Sequence, residues 1–243
     1  MLNFETINEL TLKVTCTGND VLFTKAGAFI AGECAGAKNY KFEKVLLGPQ
    51  GNIGQAALGS ILRRVTGENL PLMKVKLNGD SVTYYANTGQ HVITYRLEPG
   101  ETISIESENI LAFTQDCDYS VRFIGCGIIS QKGLATSTLT GRGPDAYVAF
   151  LSDGNPIVLS NVDNGSSISV DPDAVICWMG NGHCDPNVSI DVNWKTFIGQ
   201  TSGESYAFDW TGSQPVTVVV QPSERNSGVS IGMDGGRLGH RPN

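Results

Sequence analysis

The chain has 243 residues, of which 40% are apolar, 17% are charged and 29 are glycine. The formal net charge of −7 disfavours non-specific binding to nucleic acid or anionic lipid, and no apolar run approaches the ~20 residues of a membrane helix. Many glycines with few charges are typical of short strands joined by tight turns. We therefore expect an all-β protein that binds no nucleic acid and has no stable membrane insertion.

The first strands are predicted between residues 10 and 34. The segment LTLKVTC alternates apolar and polar residues from Leu10 to Cys16, as half-buried strands do. No basic and apolar leader precedes Cys16, the first of six cysteines. We therefore expect a cytoplasmic protein with free thiols.

A helix is predicted over residues 53–65. Ile53, Ala57 and Ile61 recur every fourth residue and form an apolar stripe with helical spacing. Gly67 is a plausible helix end. This is the one short helix that the sequence predicts.

A hairpin pattern centred on residues 97–113 occurs three times. Residues 162–178 repeat it 65 positions later without a gap, and Phe113 then aligns with Trp178. A weaker copy lies 82 positions earlier, where Val21 aligns with Ile103 and Ala31 with Phe113. Turn residues between two short alternating runs predict a repeated β-hairpin. We expect Phe113 and Trp178 to lie in the core.

A second repeated pattern lies at residues 66–86, 140–159 and 202–220. Each copy has a glycine-containing turn, an alternating strand, a second turn and another strand, and Asn78-Gly79 and Asp153-Gly154 are strong hairpin turns. Two alternating kinds of hairpin predict a β-sandwich or barrel. Three copies of each pattern fit either two domains or three blades around a pseudo-threefold axis.

Three segments carry a resemblance to a known family: ALGSILRRVTGENLPL, LEPGETISI and GLATSTLTGRGPDAYVAF. They resemble the altered-inheritance-of-mitochondria family, a former domain of unknown function. Its members resemble a duplicated domain similar to the tryptophan RNA-binding attenuator protein. The resemblance implies two tandem double-stranded β-helix domains, at residues 1–122 and 123–225, and a homo-oligomer. Residues 226–243 are polar and glycine-rich, and we expect a flexible tail there.

The best candidate metal site lies in the segment CWMGNGHCD. It contains Cys177, His183, Cys184 and Asp185. His91 and His240 are far away in the sequence. The chain has no His-x-His pair, so the metal site of an oxygenase is not expected. We therefore expect the protein to bind no metal and no cofactor.

Three cysteines occupy similar places after the repeated hairpins. Cys184-Asp185 aligns with Cys117-Asp118, and Cys34 follows the weaker copy. Three thiols at equivalent loops could converge on one zinc ion. The alternative, which we favour, is three half-buried small residues that close similar turns.

A nucleophilic thiol is the enzymatic alternative. Cys184 follows His183, but neighbouring residues on a strand point to opposite faces. The acid pairs Asp171/Asp173 and Glu106/Glu108 are read as turn residues, because each is local to one hairpin. Trp194 and Trp210 fit either the core or a subunit contact.

The sequence therefore predicts no catalytic, cofactor or metal residues. The expected function is that of a non-enzymatic scaffold or interaction protein of unknown biochemical role, acting as a homo-oligomer. One alternative is a small-molecule or peptide-binding module. The other is a thiol-dependent enzyme around Cys184. The partner, the ligand and the number of subunits stay open.

Overall fold

The computed structural model describes residues 1–45, 72–124, 135–180, 184–190 and 206–223. Within these residues the regular structure consists of nineteen strands and one short 3-10 turn at Ser107–Asn109. The predicted all-β class is confirmed. The helix predicted over residues 53–65 and the tail at 226–243 lie outside the described residues.

The chain begins with two paired strands, β1 (Leu2–Ile7) and β2 (Thr11–Cys16). Three successive units follow. The strands of the first unit are β3 (Asn19–Lys25), β4 (Phe29–Cys34), β5 (Tyr40–Lys44), β6 (Leu72–Asn78), β7 (Ser81–Tyr85) and β8 (His91–Arg96).

The second and third units repeat this order of strands. The strands of the second unit are β9 (Thr102–Ile105), β10 (Ile110–Thr114), β11 (Cys117–Phe123), β12 (Ala135–Gly141), β13 (Tyr147–Ser152) and β14 (Ile157–Ser160). The strands of the third unit are β15 (Ile168–Val170), β16 (Val175–Gly180), β17 (Asn187–Ile190), β18 (Tyr206–Trp210) and β19 (Val216–Val220).

These strands form four antiparallel sheets. The first sheet has the order β1-β2-β7-β4, and the second has the order β5-β6-β3-β10-β13-β8. The third sheet has the order β11-β12-β9-β16-β19-β14, and the fourth has the order β15-β18-β17. The second sheet thus combines strands of the first and second units, and the third sheet combines strands of the second and third units.

Three hydrophobic cores separate the four sheets. The first core lies between the first and second sheets and includes Leu12 and Ala112. The second core lies between the second and third sheets and includes Phe113 and Ile105. The third core lies between the third and fourth sheets and includes Trp178 and Trp210. The sheets therefore stack in the order of their numbers, and each of the two inner sheets contributes residues to two cores.

The predicted hairpins at the repeats are wrong. The two strands of each copy lie in different sheets, because β9 belongs to the third sheet and β10 to the second. The turns at Gly79 (φ 108°) and Gly154 (φ 94°) have the expected positive φ, but they too connect strands of different sheets. Alternation shows that a strand has a buried face, and it does not show whether the next strand is its neighbour or lies across the core.

A β-bulge marks the same place in every copy of the first pattern. The register shifts between Phe29 and Ala31, between Ile110 and Ala112, and between Val175 and Cys177. The bulged residues Ile30, Leu111 and Ile176 are therefore equivalent. The spacing of the first and second copies is 81 residues rather than the predicted 82, an error that places each side chain on the wrong face of the sheet.

The division into domains at residue 122 stays a prediction. Strands from both sides of that position are hydrogen-bonded neighbours, since β10 pairs with β13 and β11 with β12. The three copies of the first pattern occupy the same place in the three units, and each copy is displaced by one sheet from the copy before it.

Candidate interaction surface

The three repeat-related thiols do not converge. Cys34 ends β4 in the first sheet, where its Sγ donates to Oδ1 of Asn39 over 2.8 Å. Cys117 is buried in the second core and Cys184 in the third. No group of three or more metal-binding side chains occurs among the described residues. The zinc alternative therefore has no support in this part of the chain.

Burial makes the core thiols poor nucleophiles. Desolvation raises the pKa of Cys117 to about 12, and it also raises the pKa of Cys177 and of Cys184 above the ordinary value of 9.0. Thiol nucleophiles need the opposite shift, because the thiolate is the reacting species. His183, the candidate base, lies outside the described residues.

The aspartates that follow Cys117 and Cys184 form ion pairs with arginines. Asp185 Oδ2 accepts from Nη1 of Arg122 over 2.5 Å, and Nη2 of Arg122 donates to Oγ of Ser104 over 3.1 Å. Asp118 pairs in the same way with Arg142. Both carboxylates are thus neutralised by a cation, and the Arg122 pair joins the second unit to the third.

The other candidate residues have structural roles. Asp171 accepts from the backbone N–H of Asp173 over 2.8 Å, which is the geometry of a local turn. Phe113 and Trp178 are fully buried, as predicted. Trp210 is buried as well, and its Nε1 donates to the carbonyl of Cys184 over 2.9 Å. Trp194 lies outside the described residues.

The surface that stands out is strand β4, at the open edge of the first sheet. Its residues from Ile30 to Glu33 are all exposed, and Ile30 is 56% exposed. The equivalent residues Leu111 and Ile176 are 0% exposed. The same strand position is therefore part of the core in two units and part of the surface in the first.

The reason for this exposure is a missing neighbour. Strand β10 pairs with β3 of the preceding unit, and β16 pairs with β9 of the preceding unit. No described strand pairs with β4 on that side. Strand β15 of the fourth sheet has the complementary gap, since β3 and β9 each pair with a strand of the next unit and no described strand pairs with β15 on that side.

The aromatic side chains beside β4 fill its inner face. A Cβ on Gly32 would lie 2.6 Å from the hydroxyl of Tyr40, so the Tyr40 ring packs directly against the strand. Tyr40, Phe42 and Phe29 contact one another with ring centroids 4.8–5.7 Å apart. The inner face is covered in this way, whereas the hydrogen-bonding edge and Ile30 remain open.

A second exposed apolar edge is strand β14 in the third sheet. Ile157 is 51% exposed and Val158 is 61% exposed. The equivalent strand of the first sheet, β2, is covered by β1. The equivalent strand of the second sheet, β8, is contacted by the β1–β2 turn, where the N–H of Val92 donates to the carbonyl of Glu9 over 2.8 Å.

The sequence contains a signal for the open edge that the search for sites missed. The first copy has Ala31-Gly32 where the other copies have Ala112-Phe113 and Cys177-Trp178. A copy that has lost its large aromatic residue is expected at an end of a repeat array, because terminal repeats have one neighbour fewer.

Comparison with known proteins identifies the family and the fold. A family model described as mitochondrial biogenesis AIM24 matches residues 4–223. An X-ray crystal structure of a Streptococcus pyogenes protein, a structural genomics target, is 15% identical with a TM-score of 0.66. That match covers 92% of this chain and 94% of the other, and at this identity it shows a shared fold alone. No curated protein matches the chain. None of the described helices is long and apolar enough to cross a membrane.

Proposed function

The chain belongs to the mitochondrial biogenesis AIM24 family, and on that premise we propose that it is a non-enzymatic scaffold or interaction protein that acts as a homo-oligomer. A fold does not determine an activity, so the proposal depends on the surfaces described above. The observation that carries it is the exposure of Ile30 on β4, at a position that is core in the other two units.

The composition of the open edges supports an interaction role. Monomeric proteins protect edge strands with lysine, proline or inward-pointing charge. Strand β4 carries one charged residue, Glu33, and strands β14 and β15 carry none. Edges of this kind are suited to pairing with another strand.

Sedimentation velocity over a concentration series tests the proposal. We expect a species whose mass is a multiple of 25.9 kDa at tens of micromolar protein. A reversible shift of the sedimentation coefficient with dilution would support self-association. A strict monomer over the whole series would contradict the homo-oligomer.

A peptide-binding role is the second candidate, and one observation favours it. Strand β1 covers β2 with Leu2 and Phe4 buried, whereas no strand in the described part of the chain pairs with the equivalent edge of β14. An extended peptide can add to such an edge by main-chain hydrogen bonds. A labelled peptide of the β1 sequence LNFETI is the probe. Binding that is weakened by Ile157→Lys would support this role, and equal binding to both proteins would contradict it.

The thiol-dependent enzyme has less support. The raised pKa of Cys184 disfavours its thiolate at neutral pH. Fast and selective alkylation of Cys184 by iodoacetamide at pH 7, located by peptide mass spectrometry, would revive this alternative. The cytoplasmic location also stays a prediction, and fractionation of cells that express the chain tests it.

A further inference from the structure

We propose that two copies of the chain join head to tail, with β4 of one copy paired antiparallel to β15 of the next. The first sheet of one copy and the fourth sheet of the other then form one continuous sheet. This inference rests on the proposed homo-oligomer and names the two edges that form it. The contact is heterologous, because a different edge is used on each copy.

The order of strands in the two inner sheets is the first argument. In the second sheet β5-β6-β3 is followed by β10-β13-β8, and in the third sheet β11-β12-β9 is followed by β16-β19-β14. The fourth sheet contains the equivalent first half, β17-β18-β15, and the first sheet contains the equivalent second half, β4-β7-β2. The two outer sheets are therefore complementary halves of the sheet that the chain builds twice internally.

The internal registers define the expected contact. Ala112 lies opposite Thr24 where β10 pairs with β3, and Cys177 lies opposite Ile105 where β16 pairs with β9. The equivalent pair at the joint between copies is Ala31 opposite Val170. Gly32 then lies opposite Ser169, just as Phe113 lies opposite Phe23.

Burial is the second argument. Leu111 packs in the first core and Ile176 in the second, each facing back toward the preceding unit. By the same geometry Ile30 would face the third core of the neighbouring copy. The joint would thus remove the 56% exposed Ile30 side chain from water.

The edges are also compatible in charge. Strand β15 has no charged residue, and the single charge on β4, Glu33, accepts a hydrogen bond from the hydroxyl of Tyr84 over 3.0 Å. No like charges oppose each other at the joint. Lysine at either edge would have its long charged side chain desolvated by the added strand, which is the basis for the test.

The test uses two variants that each block one edge. Ile30→Lys blocks β4, and Ser169→Lys blocks β15. We expect each variant alone to associate on the order of 30-fold more weakly than the wild type, as loss of a central contact does. Val162→Lys is the matched control, because it places the same charge on an apolar residue that is 57% exposed and lies in the turn after β14, outside the three open edges. Circular dichroism and the thermal midpoint check that all three variants fold.

Mixing the two blocked variants makes the test decisive for a head-to-tail contact. Ile30→Lys retains an intact β15, and Ser169→Lys retains an intact β4. An equimolar mixture should therefore form a heterodimer, seen by light scattering with one variant mass-tagged. Monomeric single variants with a dimeric mixture would support the joint.

The contrary outcomes separate this inference from the proposed function. Variants that remain as oligomeric as the wild type would overturn the joint and leave the homo-oligomer standing on another surface. Single variants and a mixture that are all monomeric would overturn the head-to-tail arrangement in favour of one shared patch. A monomeric wild type would overturn both proposals.

Discussion

Strands β4 and β10 occupy the same place in successive units and share the same β-bulge, but they differ in how far their residues are buried. All five residues of β10 are buried, whereas four of the six residues of β4 are exposed. The difference does not come from polarity, since β4 presents Ile30 and Ala31 on its open side. It comes from the neighbouring strand: β10 pairs with β3 of the preceding unit, whereas no described strand pairs with β4 on that side.

The inner and outer sheets differ in the same way. Strand β13, in the second sheet, has five consecutive buried residues. Strand β15, in the fourth sheet, alternates buried and exposed residues. A strand with both faces covered buries consecutive residues, and a strand with one face in water alternates between buried and exposed residues. The buried residues of a covered strand need not be apolar, since Ser152 of β13 is buried as well.

The largest effect is expected for Phe113→Ala in the second core. The Phe113 ring stacks between Phe23 and Tyr119, with centroids 5.2 and 5.7 Å away. Its removal should lower the free energy of unfolding by about 3–5 kcal/mol, measured by urea denaturation. Phe29→Ala, on the half-buried side of β4, is the comparison variant and should cost less. Equal losses would mean that the outer sheet is as tightly packed as the inner sheets.

A direct comparison of equivalent positions is given by Leu111→Ala and Ile30→Ala. Leu111→Ala removes a buried side chain and should lower the free energy of unfolding by about 2–5 kcal/mol. Ile30→Ala removes an exposed side chain and should change the free energy of unfolding by no more than about 0.5 kcal/mol. Both variants are measured by urea denaturation in the Ser169→Lys background, so that self-association does not contribute. A large loss for Ile30→Ala in that background would show that Ile30 is already covered within one copy.

The smallest effect is a dependence of stability on alkaline pH caused by Cys117. Burial raises the pKa of Cys117 to about 12, whereas the ordinary value is 9.0. Above pH 9 the unfolded chain therefore releases a proton that the native state keeps, and stability falls as the pH rises. The slope from this thiol is about 1.4 kcal/mol per pH unit up to pH 12.

Urea denaturation at pH 8, 9 and 10 measures that slope. The variant Cys117→Ala should lose this contribution and show a shallower decline than the wild type, although it is less stable at pH 7. Identical slopes for both proteins would mean that Cys117 does not keep its proton in the native state.

The open edge at β4 could not be predicted from the sequence, because the sequence pattern aligns the two copies of the repeat one residue out of register. The alternation around Val21 predicts a strand and a weaker copy of the repeat, but a one-residue shift of the alignment places Ala31 rather than Gly32 at the position of Phe113. The β-bulge at Ile30, which only the structure shows, gives the correct spacing of 81 residues between the two copies. The convergence of Cys34, Cys117 and Cys184 could not be judged either, because equivalent loops of a stacked array lie in different layers.

The sequence by itself determined that strands and turns lie in the repeated segments, that Phe113 and Trp178 are core residues, and that the chain is a repeated all-β protein. The two-residue period of a strand and the positive φ of turn glycines are local properties, and the residues themselves encode them. The tertiary structure alone decided which strands pair and which edges stay open. Hydrogen-bonded pairing joins residues that are far apart in the chain. The alternation of apolar and polar residues is the same whether a strand pairs with the next strand, with a strand of another unit or with a strand of another molecule.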